Sequence, residues 1–329
     1  MINIAILKKP QESAISFYRT SPWLDLAREK KYFTLEFHPK AFTPDAARFF
    51  DVLICHRPGH INELSAIYVA KKLGIKVIVD LDDLLWQIPI GNEAWRFYDK
   101  NADDILSRAL INADEITVST RGLADQVALR FDKNPILLKN AIPPSLFYLH
   151  QEPKPFSEDE PIKILWRGSN THAADLFTYR DAFVNSKRIE WHFFGATPWF
   201  FLEEYGGHLP NFVQHTHTTN ILDYFDKLRE ISPDFVIVPL ERNEFNWCKS
   251  EIAMLEAFLV GAGCIAPAWH EAFSQSEIKF ENVDDLKRKI KVPNVTFNIE
   301  RHSRLRQLDN QWLLTQHERN YTLQKLNLI

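Results

Sequence analysis

The chain has 329 residues, a formal net charge of −4 at pH 7 and a hydrophobic fraction of 45%. This length is enough for two domains with separate cores, and the composition is that of an ordinary soluble globular protein. The acidic balance gives no sign of general nucleic-acid binding, although it leaves room for a local basic patch.

Strand-like and helix-like segments alternate along the first part of the sequence. Apolar runs predict strands at 2–7, 33–37, 51–55, 75–80, 115–119 and 135–139, with helices at 61–73, 101–112 and 121–131 between them. Residues 151–161 are rich in proline and acidic side chains and are predicted to be a linker. The alternation therefore predicts a Rossmann-like domain over residues 1–150.

The same alternation resumes after the linker. It predicts strands at 162–166, 189–194, 234–239 and 263–267, helices near 173–185, 219–230 and 249–260, and a last helix at about 301–325. Two consecutive βαβ series predict an α/β protein of two doubly wound domains, the second covering 162–300. Ligands of such sheets bind at the carboxyl ends of the strands, so the two sets of ends are expected to face a cleft.

The stretch 245–257 is the most informative part of the sequence. It follows an apolar run at 235–240 and opens a predicted helix that stops at Gly261. Lys249 is expected at the start of this helix, where backbone N–H groups and the helix dipole favour a phosphate. Glu256 falls on the arc that faces the core, where a carboxylate needs a partner. Either the hydroxyl pair of a sugar or a buried arginine would serve.

A second polar turn follows the predicted strand 162–166. Arg167 ends the strand, Gly168 allows a close backbone approach, and Ser169 offers a donor. Because Arg167 and Lys249 follow two strands of one sheet, we expect them to neutralise a diphosphate together. The alternative for Arg167 is a salt bridge between the domains.

Three carboxylates, those of Asp80, Asp82 and Asp83, follow the predicted strand 75–80. Asp80 and Asp82 match the D-x-D pattern of metal-dependent sugar transferases, but the two-domain layout argues against a metal. Capping of the next helix is the favoured interpretation of Asp82 and Asp83. Acceptor binding or general-base work across the cleft comes second, and metal binding third.

Two loops of the first domain are expected to line the cleft. Tyr18 and Arg19 are placed in the loop after the first strand, and His56 and Arg57 follow the third. His56 is either a base that works near neutral pH or a plain structural histidine. No metal site is predicted, because the H-x-H spacing at 215–217 has no acidic or cysteine partner nearby.

The absence of certain sequence motifs disfavours several classes of protein. It has no G-x-S-x-G, G-x-x-x-x-G-K-[ST] or G-x-G-x-x-G motif, which disfavours hydrolases, kinases and dehydrogenases. Its 3 cysteines are odd in number and lack metal-ligand spacing, so we expect reduced thiols in the cytoplasm. No apolar run approaches the roughly 20 residues that span a bilayer, so any membrane contact is expected to be peripheral.

In order and spacing, the motifs resemble those of the GT-B glycosyltransferases of the large retaining family called glycosyl transferases group 1. The similar pieces are Tyr18-Arg19 with Pro22, Arg57-Pro58, 80–83, 118–120 with 123–124, 140–143, 168–172 with Asp175, 239–240, 245–246 with 249–250, and Glu256 with Gly261. The resemblance covers most of the chain. It implies an N-terminal acceptor-binding domain, a C-terminal domain that binds a nucleotide-diphosphate sugar, and a C-terminal segment, 301–329, that crosses back as a helix.

The resemblance also assigns roles to residues. Glu256 matches the second glutamate of the family's E-x7-E element and is expected to hold the nucleotide ribose, with Arg167 and Lys249 near the diphosphate. Cys248 stands where the family has the first glutamate. The other residues expected on the donor side are Gly168, Ser169, Asn246 and Ser250. The residues expected on the acceptor side are Tyr18, Arg19 and Arg57. The candidates to orient the acceptor hydroxyl are Asp82, Asp83 and His56.

The implied reaction is sugar transfer with retention of configuration and without a bound metal, because arginine and lysine neutralise the leaving diphosphate. Three hypotheses about function stay open. In the first hypothesis, the acceptor is a cell-envelope or surface glycan. In the second, the acceptor is a hydroxylated cytosine base in DNA that is flipped into the cleft. The DNA would then be bound by a basic patch at 286–291 with Arg301, Arg304 and Arg306. In the third hypothesis, the chain is a catalytically degenerate module that only binds nucleotide sugars.

Overall fold

The computed structural model describes residues 2–7, 14–98, 100–154, 160–183, 188–195, 203, 212–218 and 220–291. Two parallel six-stranded sheets with flanking helices divide these residues into an N-terminal half (2–154) and a C-terminal half (160–291). The strand order is β2-β1-β3-β4-β5-β6 in the first sheet and β12-β11-β10-β7-β8-β9 in the second. The predicted α/β class with two doubly wound sheets is therefore confirmed.

The N-terminal half follows the predicted alternation closely. Its inner strands read as near-continuous apolar runs because both faces of the parallel sheet are covered there. Its elements are β1 (Asn3–Leu7), α1 (Ala14–Lys30), β2 (Phe33–Phe37), α2 (Pro44–Ala47), β3 (Val52–His56), α3 (Ile61–Lys72), β4 (Lys76–Leu81), α4 (Lys100–Asn112), β5 (Glu115–Val118), α5 (Arg121–Phe131) and β6 (Ile136–Leu137).

The C-terminal half repeats this organisation with shorter elements. They are β7 (Ile162–Gly168), α6 (Ala173–Tyr179), β8 (Ile189–Gly195), β9 (Phe212–His215), α7 (Ile221–Ile231), β10 (Phe235–Ile237), α8 (Glu244–Trp247), α9 (Ile252–Leu259), β11 (Gly263–Pro267), β12 (Ile278–Phe280) and α10 (Val283–Lys291). The edge strands β9 and β12 were not predicted, because runs of four and three residues carry little periodicity.

Helix α1 corrects the prediction that Tyr18 and Arg19 lie in a loop. Pro22 argues against a helix in the sequence, and α1 has no single apolar face for periodicity to reveal. Trp23 packs in an apolar cluster with β1 of its own half, whereas Tyr18 packs in a cluster formed mainly by the C-terminal half. The helix therefore buries different faces against different halves.

The predicted helix 249–260 begins three residues later than expected, after a separate short helix. Residues 244–247 form α8, Lys249 and Ser250 lie in the turn that follows, and α9 begins only at Ile252. The expectation that Lys249 starts a helix is therefore wrong. The predicted stop at Gly261 is confirmed, because this residue has a φ of +70°, and a Cβ there would lie 2.7 Å from the carbonyl oxygen of Gln151.

The two halves exchange apolar side chains. Tyr18 of α1 lies in a cluster with Phe225, Leu255 and other residues of the C-terminal half. In return, Phe245 and Cys248 of the C-terminal half pack in the core cluster of the N-terminal half. Each half thus completes part of its core with side chains from the other.

The strand order of the second sheet reverses between β7 and β10. Ligands of open α/β sheets bind outside the carboxyl ends of the strands at such a point. The predicted C-terminal helix and the arginines at 301–306 lie outside the described residues. Within the described ranges, no helix combines the length and the apolar character that crossing a bilayer requires.

Candidate functional site

A cleft between the halves lies at the switch point of the second sheet and encloses about 160 Å³. Residues of β7, β10 and α9 form one wall, and residues of α1 and of the segment after β4 form the other. Seven of the predicted site residues line it: Tyr18, Asp82, Asp83, Arg167, Lys249, Ser250 and Glu256. The structure therefore brings together donor-side and acceptor-side residues that are far apart in the chain.

Glu256 is buried in the cleft wall with three partners. The hydroxyls of Tyr18 and Tyr224 each donate to one of its carboxylate oxygens at 2.7 Å, and Arg167 Nη2 lies 2.8 Å from Oε2. Burial and the Glu256 charge raise the pKa of Tyr18 and Tyr224 well above the ordinary value, so both phenols stay protonated donors. The buried arginine that the sequence left as an alternative is thus present.

Arg167 keeps unused hydrogen-bonding capacity. Its contact with Glu256 lacks hydrogen-bond alignment, and its buried Nε and Nη2 have no acceptor in the described part of the chain. Burial lowers the pKa of Arg167, but the charge of Glu256 outweighs it and the pKa is raised overall. A permanent cation with unfilled donors at the end of β7 suits an anionic oxygen.

Across the cleft, Lys249 meets carboxylates of the N-terminal half. Its Nζ lies 3.0 Å from Asp83 Oδ1 and 4.4 Å from the centre of the Phe245 ring. Asp83 Oδ2 also accepts from Arg57 Nη2 at 2.5 Å. Neither Asp82 nor Asp83 caps a helix, because the next helical turn begins at residue 93 and is capped by Asn92. The favoured capping interpretation is therefore wrong.

His56 and Arg57 bind the same carboxylate behind this wall. His56 Nε2 lies 3.0 Å from Asp82 Oδ1, which also accepts from Arg57 Nε. Burial would raise the pKa of Asp82, but the charges of Arg57 and His56 hold it below the ordinary range. Arg57 has a φ of +47°, an uncommon backbone conformation for a residue other than glycine. His56 and Arg57 do not line the cavity, so they act on it through Asp82 and Asp83.

Arg19 is buried at 1% exposure and is saturated by protein partners. Its Nε and Nη2 donate to the two carboxylate oxygens of Asp80 at 2.9 and 2.5 Å, and Nη1 donates to Leu138 O and Asn140 Oδ1. Asp80 also accepts from Thr117 Oγ1. This geometry does not favour the predicted acceptor contact of Arg19.

Asn140 connects this buried network to the donor-side turn. Its Oδ1 accepts from Arg19, while its Nδ2 donates to Ser250 Oγ at 2.7 Å. Next to it, Thr120 Oγ1 donates to Cys248 O at 2.9 Å. Cys248 has no exposed surface, and burial raises the pKa of its thiol to about 12. It packs in an apolar cluster rather than lining the cleft where the family resemblance places a glutamate.

Three predicted donor-side residues support the site from behind. Asn246 Nδ2 donates to Asp175 Oδ1 at 2.8 Å and to Glu241 O at 2.9 Å. Ser169 Oγ pairs with Thr171 Oγ1. A Cβ at Gly168 would lie 2.8 Å from the Trp166 ring, so the ring requires glycine there. None of the three lines the cavity.

Sequence reasoning gave no role to several residues that complete the cleft. His172 and Asp175 both line it and are paired at 2.9 Å, and their H-x-x-D spacing, one helical turn, was the available signal. Tyr224 had no recognisable signal, since its partner Glu256 is distant in sequence, and Asn140, although part of the 140–143 motif, was given no role. Within the described ranges, no group of three or more His, Cys, Asp or Glu side chains has the arrangement of a metal site.

Solved structures share this architecture, although the chain matches no family model and no curated protein sequence. Among solved structures, Anabaena HepE in complex with UDP and glucose has a TM-score of 0.68 at 11% identity, covering 99% of this chain and 100% of that one. The T4 phage protein BGT in complex with UDP-glucose has a TM-score of 0.56 at 13% identity, covering 98% and 99%.

An alpha-glucosyltransferase in complex with UDP-glucose and DNA containing an abasic site is similar to the same extent, with a TM-score of 0.56 at 13% identity and coverage of 96% and 99%. At these identities the likeness shows the fold. The chain therefore has the two-domain α/β GT-B fold that the motif resemblance implied.

Proposed function

We propose that this chain is a cytoplasmic glycosyltransferase that moves a sugar from a nucleotide-diphosphate donor to an acceptor hydroxyl, with retention of configuration and without a bound metal. The observation that carries the proposal is the placement of Arg167, Lys249 and Glu256 around one cleft at the switch point of the second sheet. Structural neighbours with this fold bind UDP or UDP-glucose.

In the proposed complex, the diphosphate takes the position between Arg167 and Lys249. Arg167 supplies donors that have no acceptor among the described residues, and Lys249 supplies a second positive charge. Negative charge grows on the diphosphate as its bond to the sugar breaks, and two fixed cations in a partly buried site stabilise that charge. Glu256 accepts from the ribose hydroxyls.

The N-terminal wall is proposed to receive the acceptor. Asp82 and Asp83 line the cavity and both bind Arg57, whose charge helps to hold the pKa of Asp82 below the ordinary range, so either carboxylate suits an acceptor hydroxyl. His56, buried behind Asp82, orients that carboxylate rather than touching the acceptor.

The acceptor we favour is a cell-envelope or surface glycan, reached with at most peripheral membrane contact. A modified DNA base is the second candidate, because the neighbours include a glucosyltransferase in complex with DNA and a DNA-modifying beta-glucosyltransferase. The basic segment in α10 is a weak argument for DNA, since Asp285 already pairs with Arg288 and Lys289. A module that only binds donors remains the third candidate, because Cys248 stands in place of the first glutamate.

The donor proposal is tested by thermal shift with UDP, ADP and GDP and their glucose conjugates. A ligand that binds only the native state at 100 times its Kd stabilises it by about 2.7 kcal/mol. We expect one nucleotide to raise the Tm of the wild type, and Lys249→Ala and Glu256→Gln to abolish the shift. Lys72→Ala, an exposed lysine at the end of α3, is the control. If no nucleotide stabilises the wild type, the proposal fails.

The reaction itself is tested with the donor so identified. Transfer to glycan or to hydroxymethylated DNA in the presence of EDTA tests metal independence, and NMR of the anomeric proton tests retention. Retention of the protein on DNA-cellulose against binding to anionic liposomes separates the two acceptor classes. If the protein binds the donor but neither transfers the sugar nor hydrolyses the donor, the hypothesis of a catalytically degenerate binding module is favoured.

A further inference from the structure

A second role of Tyr18 and Asp83 depends on the proposed donor site. We propose that these two residues of the N-terminal half occupy, in the free protein, the positions that the ribose and the diphosphate of the donor take in the complex. Donor affinity is then set by competition between the donor and the chain's own side chains.

The first observation is the chemistry of the contact at Glu256. Its Oε1 accepts from the Tyr18 hydroxyl at 2.7 Å. A ribose hydroxyl bound to the same oxygen would make the same kind of hydrogen bond. Tyr18 reaches Glu256 from the opposite half of the molecule and packs there in an apolar cluster, so the contact exists only while the halves are together.

The second observation is the matching contact at Lys249. Its Nζ lies 3.0 Å from a carboxylate oxygen of Asp83, and both side chains are mostly buried, at 20% and 12% exposure. A carboxylate and a phosphate oxygen are equivalent acceptors for an ammonium group. Asp83 again belongs to the N-terminal half, so one half supplies both a hydroxyl and an anion to the other.

The third observation is the size of the space that remains. The cavity of about 160 Å³ is smaller than the roughly 300 to 1,000 Å³ of pockets that enclose drug-sized ligands. The contacts across the cleft occupy part of the space that a nucleotide-diphosphate sugar would need, so in this proposal the halves separate for the donor to enter. Separation breaks Tyr18–Glu256, Asp83–Lys249 and the Asn140–Ser250 hydrogen bond, all of which span the cleft.

The test is isothermal titration of the full chain with UDP, or with whichever nucleotide stabilises the wild type. Tyr18→Phe removes the competing hydroxyl and leaves Glu256 Oε1 open, and Asp83→Asn removes the competing charge. We expect the Kd to fall about tenfold for Tyr18→Phe, since a hydrogen bond to a charged group is worth roughly that much. For Asp83→Asn we expect a fall of about threefold to tenfold.

Tyr224→Phe is the matched control, because Tyr224 makes the same hydrogen bond to the other oxygen of Glu256 from within its own half. It does not have to move for the donor to enter, so its loss is expected not to tighten binding. An unchanged or weaker Kd for both Tyr18→Phe and Asp83→Asn would overturn the inference, as would equal tightening by Tyr224→Phe. Absence of any nucleotide binding by the wild type would instead refute the proposed function.

Discussion

Replacement of Arg19 by methionine tests whether this residue is a structural ion-pair partner or an acceptor ligand. Methionine keeps much of the length and apolar stem of arginine but removes its charge. Asp80 would lose both bonds to the guanidinium and keep the Thr117 hydroxyl at 2.5 Å and His56 Nε2 at 3.8 Å. Asn140 Oδ1 would lose its donor as well.

The magnitude follows from burial. The side chains of Arg19 and Asp80 are 0% and 1% exposed. Removal of one partner of such a pair leaves an uncompensated buried charge, which costs about 3–5 kcal/mol. This is a large fraction of the roughly 5–15 kcal/mol that separates native from unfolded states. In the double variant Arg19→Met/Asp80→Asn neither charge remains, so we expect the loss to be well below the sum of the single losses.

Urea unfolding followed by tryptophan fluorescence measures these changes in the free energy of unfolding. Arg48 and Asp45 form the same type of pair at 2.8 Å with 61% and 90% exposure, and Arg48→Met is expected to cost less than about 1 kcal/mol. If Arg19→Met costs no more than Arg48→Met, or if the losses in the double variant simply add, Arg19 is not a buried pair and the acceptor role predicted from the sequence regains support.

Three further predictions concern stability and reactivity. Gly261→Ala and Gly74→Ala both place a side chain at positive φ, but only at Gly261 does the new Cβ meet backbone atoms; Gly74→Ala is expected to cost about 1–2 kcal/mol and Gly261→Ala clearly more, by urea unfolding. Equal losses would show that the contact with 151–152 is absent. Burial lowers the pKa of His270 from 6.5 to about 4, so the unfolded chain binds a proton that the native chain does not. Its contribution to stability therefore falls by up to about 3 kcal/mol as pH drops from about 6.5 to 4, and the stability of His270→Asn is expected to depend less on pH there. The 3 cysteines are all buried, so Ellman's reagent at pH 8 is expected to label none in the native protein and all after unfolding. Labelling of a native thiol would contradict the burial of these residues.

The sheets were predictable because their information is local. A strand covered on both faces is a short apolar run between polar turns, and β3 shows this with all five residues buried. Helix α1 was not predictable in the same way, since its faces are buried against two different halves and Pro22 is a residue that argues against a helix. Periodicity identifies one apolar face, not two.

The site was predicted at the level of residues rather than partners. The helical arc placed Glu256 correctly inside the protein, where it is 3% exposed. Its partner Tyr18, however, lies 238 residues away in the sequence. Likewise, Asp82 and Asp83 were interpreted as helix caps. Their cationic partners were not recognised, because His56 and Arg57 lie at the end of β3 and Lys249 belongs to the other half. Contacts of this range depend on how the halves dock, which no local pattern encodes.

The exchange of apolar side chains between the halves has a consequence for protein engineering. A hybrid protein made by joining the N-terminal half of this chain to the C-terminal half of another protein of this fold at 151–161 would keep both sheets. It would nevertheless mismatch the pocket that receives Phe245 and Cys248 and the one that receives Tyr18. Segment 244–250 therefore belongs functionally with the N-terminal half, and helix α1 with the C-terminal half. A productive hybrid has to carry each of these segments together with the half that receives it.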